Sequence, residues 1–169
     1  MPCDTREPSS QLLEIMQRTM VNLRYVEERQ TDQGPYEVTQ LINSFLGAFA
    51  HPWEKYKKGI RRKHLEEAWA EGWPRLDKEE QADKDLKFLG DQLRLIRNGI
   101  AHGNIEMLCK NAEGDITHLK IWNLKQPSKP ESRDWGTVVA IGQLREFLDC
   151  FVVLADQIVG NGNAVPRET

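Results

Sequence analysis

The residues best suited to chemistry lie between Leu95 and Asn104, where the chain reads Leu-Ile-Arg-Asn-Gly-Ile-Ala-His-Gly-Asn. This segment places Arg97, Asn98 and His102 close together along the chain. A guanidinium stays charged at neutral pH and can hold a phosphate, whereas an imidazole titrates near neutrality and can move a proton. Arg and His together therefore suit phosphodiester chemistry, in which charge develops on the phosphate and a proton is transferred.

The spacing of Arg97 and His102 limits how such a site can form. On an ideal helix, five residues turn the two side chains apart by roughly 140°. Either Gly99 and Gly103 bend the segment, or two chains contribute to one site. The glycines weaken the helix where the sequence shows no packing demand for them. Residue types alone also leave open a buried or helix-capping role for His102.

Other catalytic templates are absent from the sequence, which has no GxxxxGK[ST], GxGxxG, HExxH or GxSxG string. The three cysteines show no metal or disulfide spacing, and we expect no metal ion or other cofactor. The 26 acidic residues outnumber 23 Lys and Arg, which excludes a protein that holds nucleic acid mainly by bulk charge. The sequence has no apolar run of membrane-spanning length and no signal peptide, so we expect a cytoplasmic protein without membrane contact.

Helical periodicity surrounds the Arg97–His102 segment. Apolar residues recur at three- and four-residue steps in four segments: residues 10–30, 35–49, 86–101 and 141–158. A further short helix is predicted over residues 64–71, and Gly103 is well placed to end the helix that carries Arg97. We expect one domain over residues 10–160, preceded by a loose N-terminus at 1–9 and followed by a tail at 161–169.

A change in the periodicity of the apolar residues predicts one β-hairpin before the last helix. Residues 105–110 and 116–123 flank a turn-forming cluster that contains Gly114. A turn centred there predicts two cross-strand pairs: Leu108 with Leu119 and Glu106 with Ile121. Because isolated hairpins are marginally stable in water, we expect this one to pack on the helices or on a partner.

The Arg-x4-His string formed by Arg97 and His102, following an amphipathic helix, resembles the signature of HEPN domains. Three further stretches are similar to a plasmid-associated bacterial branch of that family: residues 18–23, 36–44 and 52–55. The resemblance covers residues 10–160 and implies an all-α fold. The expected architecture is a four- or five-helix up-and-down bundle, with the hairpin at residues 105–123 inserted before its last helix.

The HEPN resemblance implies a homodimeric, metal-independent endoribonuclease of a toxin–antitoxin or phage-defence system, with an antitoxin or regulatory protein as an expected partner. Its catalytic residues would be Arg97, Asn98 and His102, in a composite site between two chains. His102 would act as general base or acid, Arg97 would stabilise the developing charge, and Asn98 would orient one of them. The products would be a 2′,3′-cyclic phosphate and a 5′-hydroxyl. The alternative is a non-catalytic HEPN module that binds RNA, a nucleotide or a partner protein.

Two further groups of residues are candidates for supporting roles. A basic run beside Trp53 and Tyr56 is a candidate RNA-binding surface: Lys55, Lys57, Lys58, Arg61 and Arg62. The alternative is an ordinary exposed surface, balanced by the acidic residues that follow. Arg18 and Asn22 lie four residues apart on the first helix, where they either hydrogen-bond within it or support the cleft.

Overall fold

A computed structural model describes residues 8–29, 31, 34, 36–50, 52–109, 115–126 and 128–163. Within these ranges the chain forms six α-helices: α1 (Pro8–Glu27), α2 (Glu37–Phe45), α3 (Trp53–Ile60), α4 (Leu65–Ala70), α5 (Leu89–Ala101) and α6 (Ile141–Asn163). The strands are β1 (Ile105–Cys109), β2 (Ile116–Leu124) and β3 (Arg133–Ala140). A π-helical turn, Leu46–Ala50, follows α2 directly. The chain divides into two compact units, and the divisions fall within α3 and α6.

The first unit contains α1, α2, the π-helical turn, the start of α3 and most of α6. On α1 the buried apolar residues follow three- and four-residue steps: Leu13, Met16, Met20 and Leu23. An aromatic cluster adds to this core, in which the ring of Phe49 lies 4.6 Å from that of Phe45 and 4.5 Å from that of Phe151. Burial of this apolar and aromatic surface stabilises the unit.

The second unit, residues 57–147, contains α4, α5 and the antiparallel sheet, whose strand order is β1-β2-β3. The helix α5 packs against β2. Buried apolar residues on α5 repeat with helical spacing: Leu89, Leu93, Ile96 and Ile100. The sheet contributes further fully buried side chains: Leu119, Ile121, Trp135 and Val139.

An ion-pair cluster anchors the segment between α4 and α5 to β3. Arg133 donates to Asp83 through Nε at 3.1 Å and through Nη2 at 2.7 Å. Its guanidinium also lies 2.8 Å from Glu79 and 2.9 Å from Glu80. Because Asp83 is buried, its charge is stable there only with such a partner.

The expected mainly helical fold is confirmed, but the expected single hairpin is extended by a third strand, β3, into a three-stranded sheet. The β-branched run Thr137-Val138-Val139 favours a strand, but it leads without a break into the helical pattern that starts at Ile141. The described residues are therefore mostly helical with a small three-stranded sheet. They contain six helices rather than four or five, since the chain around the basic run forms α3 and α4 separately.

The register of the hairpin also differs from the prediction. Met107, rather than Leu108, lies opposite Leu119, and Ile105 lies opposite Ile121. Both predicted pairs are therefore wrong by one residue, and the pairing shifts once more between Leu108 and Cys109. The predicted turn itself lies outside the described residues. At the ends of the domain, α1 begins at Pro8 and α6 ends at Asn163, slightly beyond the expected bounds of 10 and 160.

Candidate functional site

The C-terminal end of α5 presents His102 to solvent. The helix runs to Ala101, and Gly103 follows with φ +70°, a left-handed conformation that favours glycine and ends the helix as its position predicted. The amide of His102 donates to the carbonyl of Asn98 at 3.0 Å, so His102 completes the last turn. The imidazole is therefore exposed at the tip of a helix whose opposite face is buried.

Gly99 allows the last turn of α5 to rest directly on β2. A Cβ atom at this position would overlap with Cγ2 of Ile121 and lie 3.0 Å from the carbonyl oxygen of Trp122. The absence of a side chain is what permits this close approach. The expectation that packing places no demand on this glycine is therefore wrong, and α5 continues through Gly99 as an α-helix.

A cleft of about 180 Å³ opens at this junction of α5 and β2. Asn98 and His102, four residues apart, line its helical side. Asn104, Asn123 and Leu124 complete the lining. We call this the His102 cleft. Its polar groups are one imidazole and three amides, which can donate and accept hydrogen bonds to a sugar or a phosphate.

Arg97 reaches this cleft through Asn98 rather than directly. Its Nη1 donates to Oδ1 of Asn98 at 3.0 Å, but Arg97 does not line the cleft. Its Nε is buried and has no hydrogen-bond partner among the described residues. One chain therefore brings Asn98 together with both Arg97 and His102, yet leaves Arg97 outside the cleft that His102 lines.

Two residues that line the cleft, Asn104 and Asn123, were not indicated by the sequence pattern. Asn123 is buried on β2, and its Nδ2 donates to the carbonyl of Leu95 on α5. The carbonyl of Asn104 accepts the amide of Trp122 at 3.2 Å. A buried asparagine within an apolar strand is a signal in itself, because its amide needs partners that the strand does not supply.

The chain matches a family model described as HEPN pEK499 p136 over residues 4–161. The chain belongs to this plasmid-associated HEPN-type family. Membership indicates a nuclease or an RNA-related module, and HEPN domains commonly dimerise. No curated protein and no solved structure matches the chain.

In this HEPN chain the basic run lies on α3 and in the turn that follows it. Lys57 is partly buried, and the other members are exposed: Lys55, Lys58, Arg61 and Arg62. Two backbone hydrogen bonds join the end of this run to the start of α5. The amide of Leu89 donates to Lys63 at 2.9 Å, and that of Leu65 donates to Lys87 at 3.0 Å.

The HEPN chain places the other supporting pair, Arg18 and Asn22, on α1 in its first unit. Both are exposed. Arg18 forms an ion pair with Glu14, one turn earlier, rather than a hydrogen bond with Asn22. The local partner of Arg18 is therefore a carboxylate on its own helix.

In the described ranges, no three His, Cys, Asp or Glu residues are grouped so that they could hold a metal ion. Across the same ranges, no helix has both the length and the apolarity needed to span a bilayer.

Proposed function

We propose that the chain is a metal-independent HEPN endoribonuclease that cleaves RNA in a composite site between two protomers. The observation that carries this proposal is the connection from Arg97 through Asn98 to the cleft that His102 lines. One hydrogen bond joins the phosphate-binding group of Arg97 to Asn98, which lines the same cleft as the proton-transfer group of His102. We assign the enzyme to the bacterial cytoplasm, in a toxin–antitoxin or phage-defence system with an antitoxin or regulatory protein as partner.

The proposed reaction needs only a proton-transfer group and a positive charge. His102 removes the proton of a ribose 2′-hydroxyl, and the 2′-oxygen then attacks the adjacent phosphorus. The bond from phosphorus to the 5′-oxygen breaks, and that oxygen takes a proton from solvent water. Arg97 stabilises the negative charge that develops on the phosphate oxygens, and Asn98 orients Arg97. The products are a 2′,3′-cyclic phosphate and a 5′-hydroxyl.

A second protomer resolves the position of Arg97. Because Arg97 does not line the His102 cleft of its own chain, we propose that each cleft receives Arg97 from the partner. A two-fold dimer repeats the same contact in both directions and so forms two equivalent sites. The separation of the two side chains along α5 supports such a dimer.

Cleavage of cellular RNA in the presence of EDTA tests this function. Wild type is compared with His102→Ala and Arg97→Ala, with the folding of each verified by circular dichroism and the product ends analysed chemically. We expect cleavage by the wild type alone, leaving cyclic phosphates. Folded, dimeric wild type that binds RNA without cutting it would instead support the non-catalytic HEPN module. Equal cleavage by all three proteins would contradict the assignment of the site.

A further inference from the structure

A second, larger cavity opens at the start of α5. It has a volume of about 360 Å³ and is lined by residues 84–88 together with Asp91 and Arg94. We call it the N-terminal pocket. It belongs to the same unit as the His102 cleft, and neither the catalytic proposal nor the family assignment gives it a role.

The charges around the N-terminal pocket favour an anion. Lys84 pairs with Asp134 at 2.5 Å and Asp85 pairs with Lys78 at 2.8 Å, so both have partners that do not line the pocket. The other charged lining residues are Lys87, Asp91 and Arg94, with a net charge of +1. Arg94 and Asp91 are 3.7 Å apart and about half exposed. Such a loose surface pair is weak, and a phosphate can compete for the guanidinium.

Phe88 gives this pocket an aromatic surface. Its ring is partly buried and lies 4.8 Å from the ring of His64, with which it also forms a backbone bridge. The ring is therefore held in place from one side while it lines the pocket. An aromatic ring beside cationic groups is the arrangement that binds single-stranded nucleic acid, because any base can stack on it.

The N-terminal pocket and the His102 cleft lie on one face of α5. Asp91, Arg94, Asn98 and His102 follow steps of three, four and four residues, which align them along the helix. Arg94 lines the first cavity, and Asn98, one turn later, lines the second. The rise from Arg94 to His102 is about 12 Å, a distance that a few nucleotides of single strand cover.

The exposed Arg61 and Arg62 lie on a turn that contacts the start of α5. The hydrogen bonds from Leu89 to Lys63 and from Leu65 to Lys87 fix this turn against the pocket-lining segment. A Cβ atom on Gly90 would lie 2.6 Å from Cα of Arg61, so the two backbones are in close contact. The turn that carries Arg61 and Arg62 is thus packed against the segment that lines the pocket.

We infer that the N-terminal pocket is a subsite for single-stranded RNA, which leads the strand from the Arg61–Arg62 turn to the His102 cleft. Arg94 and Lys87 bind a phosphate there, and Phe88 stacks a base. This inference rests on the proposed ribonuclease function for its choice of ligand. It adds a binding site that is separate from the reacting groups.

Binding of short RNAs to the His102→Ala chain, which should bind without cutting, tests the subsite. Fluorescence anisotropy would compare a labelled dinucleotide, which fills the cleft alone, with an octanucleotide at several salt concentrations. Arg94→Ala should weaken octanucleotide binding by about five- to tenfold, reduce its salt dependence by about one counterion, and leave the dinucleotide unaffected. Phe88→Leu, which keeps an apolar side chain, should weaken the octanucleotide by about fivefold with the salt dependence unchanged.

Arg24→Ala, an exposed arginine on α1 that lines neither cavity, serves as the matched control. The subsite is rejected if Arg94→Ala binds the octanucleotide as tightly as this control does, or if Arg94→Ala weakens the binding of both RNAs equally. It is also rejected if the chain binds no RNA. Binding that depends on Arg94 without any cleavage by the wild type would retain the subsite and reject the ribonuclease. Cleavage that depends on His102, together with octanucleotide binding that does not depend on Arg94, would retain the ribonuclease and reject the subsite.

Discussion

Gly99 of α5 lies against Ile121 of β2 so closely that a Cβ atom on the glycine would overlap with the isoleucine side chain. The distance between helix and strand is therefore set by a residue that has no side chain. Asn98 and His102 line the cleft from the helix, while Asn123 lines it from the strand. The shape of the His102 cleft consequently depends on this one contact.

Replacing Gly99 with alanine should force α5 and β2 apart. We expect Gly99→Ala to lower the free energy of unfolding by about 2 kcal/mol, the usual cost of inserting a methyl group into a packed contact. Urea denaturation measures this change. Gly142→Ala on α6 is the control, because a Cβ atom there meets nothing within 4 Å, and it should be neutral or stabilising by up to about 1 kcal/mol. Equal unfolding midpoints for the two variants would refute the packing argument.

Asn98 should act on the rate of cleavage by positioning Arg97. Asn98→Ala removes the acceptor of the Arg97 hydrogen bond, so we expect kcat to fall about 10- to 100-fold with little change in KM. Asn98→Asp keeps an oxygen acceptor and should retain more of the activity. Steady-state kinetics on an oligonucleotide would measure both values. Identical losses in the two variants would show that the hydrogen bond to Arg97 is not the relevant interaction.

Mixing two inactive variants tests whether the site is shared between protomers. In a mixed dimer of Arg97→Ala and His102→Ala, one of the two clefts would contain both an intact His102 and the partner's intact arginine. Because half of the dimers are mixed after subunit exchange, we expect activity to return to about one quarter of the wild-type value. A site formed within one chain predicts no recovery, since neither variant carries both residues.

The cluster around Arg133 should make stability depend on acid pH. Burial alone raises the pKa of Asp83, but the hydrogen bonds and charge of Arg133 outweigh it and hold that pKa below its ordinary 3.8. Burial likewise raises the pKa of Glu79, and hydrogen bonds from Lys120 and Arg133 bring it below 4.5. Carboxyls with a lowered folded pKa stabilise the fold above their unfolded pKa, and lose that contribution as the pH falls through the folded value.

The free energy of unfolding should therefore be constant near neutrality and fall once the pH drops below about 4.5. Asp83→Asn should cost about 1–2 kcal/mol at neutral pH, because it weakens two charge-assisted hydrogen bonds while Arg133 keeps Glu79 and Glu80 as partners, and it should flatten the acid decline. Urea unfolding at a series of pH values would show both effects. Asp77→Asn is the control, since that carboxylate is exposed. An acid decline that is unchanged in Asp83→Asn would contradict the assignment.

The sequence was most informative where local rules decide the structure. Helical periodicity and the position of Gly103 predicted α5 and its end, because helix formation and termination depend on neighbouring residues. It was least informative about the sheet. The pairing of β3 with β2 and the register of β1 depend on contacts between distant residues, which periodicity along one segment does not encode. Asn123 was missed for the same reason, since its partner, Leu95, lies on a different element.

Asn104 connects the end of α5 to the sheet through both of its backbone groups. Its amide donates to Gly99 at 2.8 Å, and its carbonyl accepts the amide of Trp122 at 3.2 Å. The first bond closes the end of α5, and the second joins that end to β2. Opening the cleft between helix and strand should therefore break the second bond and expose the Trp122 amide to hydrogen exchange. A molecule that has lost the site has already begun to unfold.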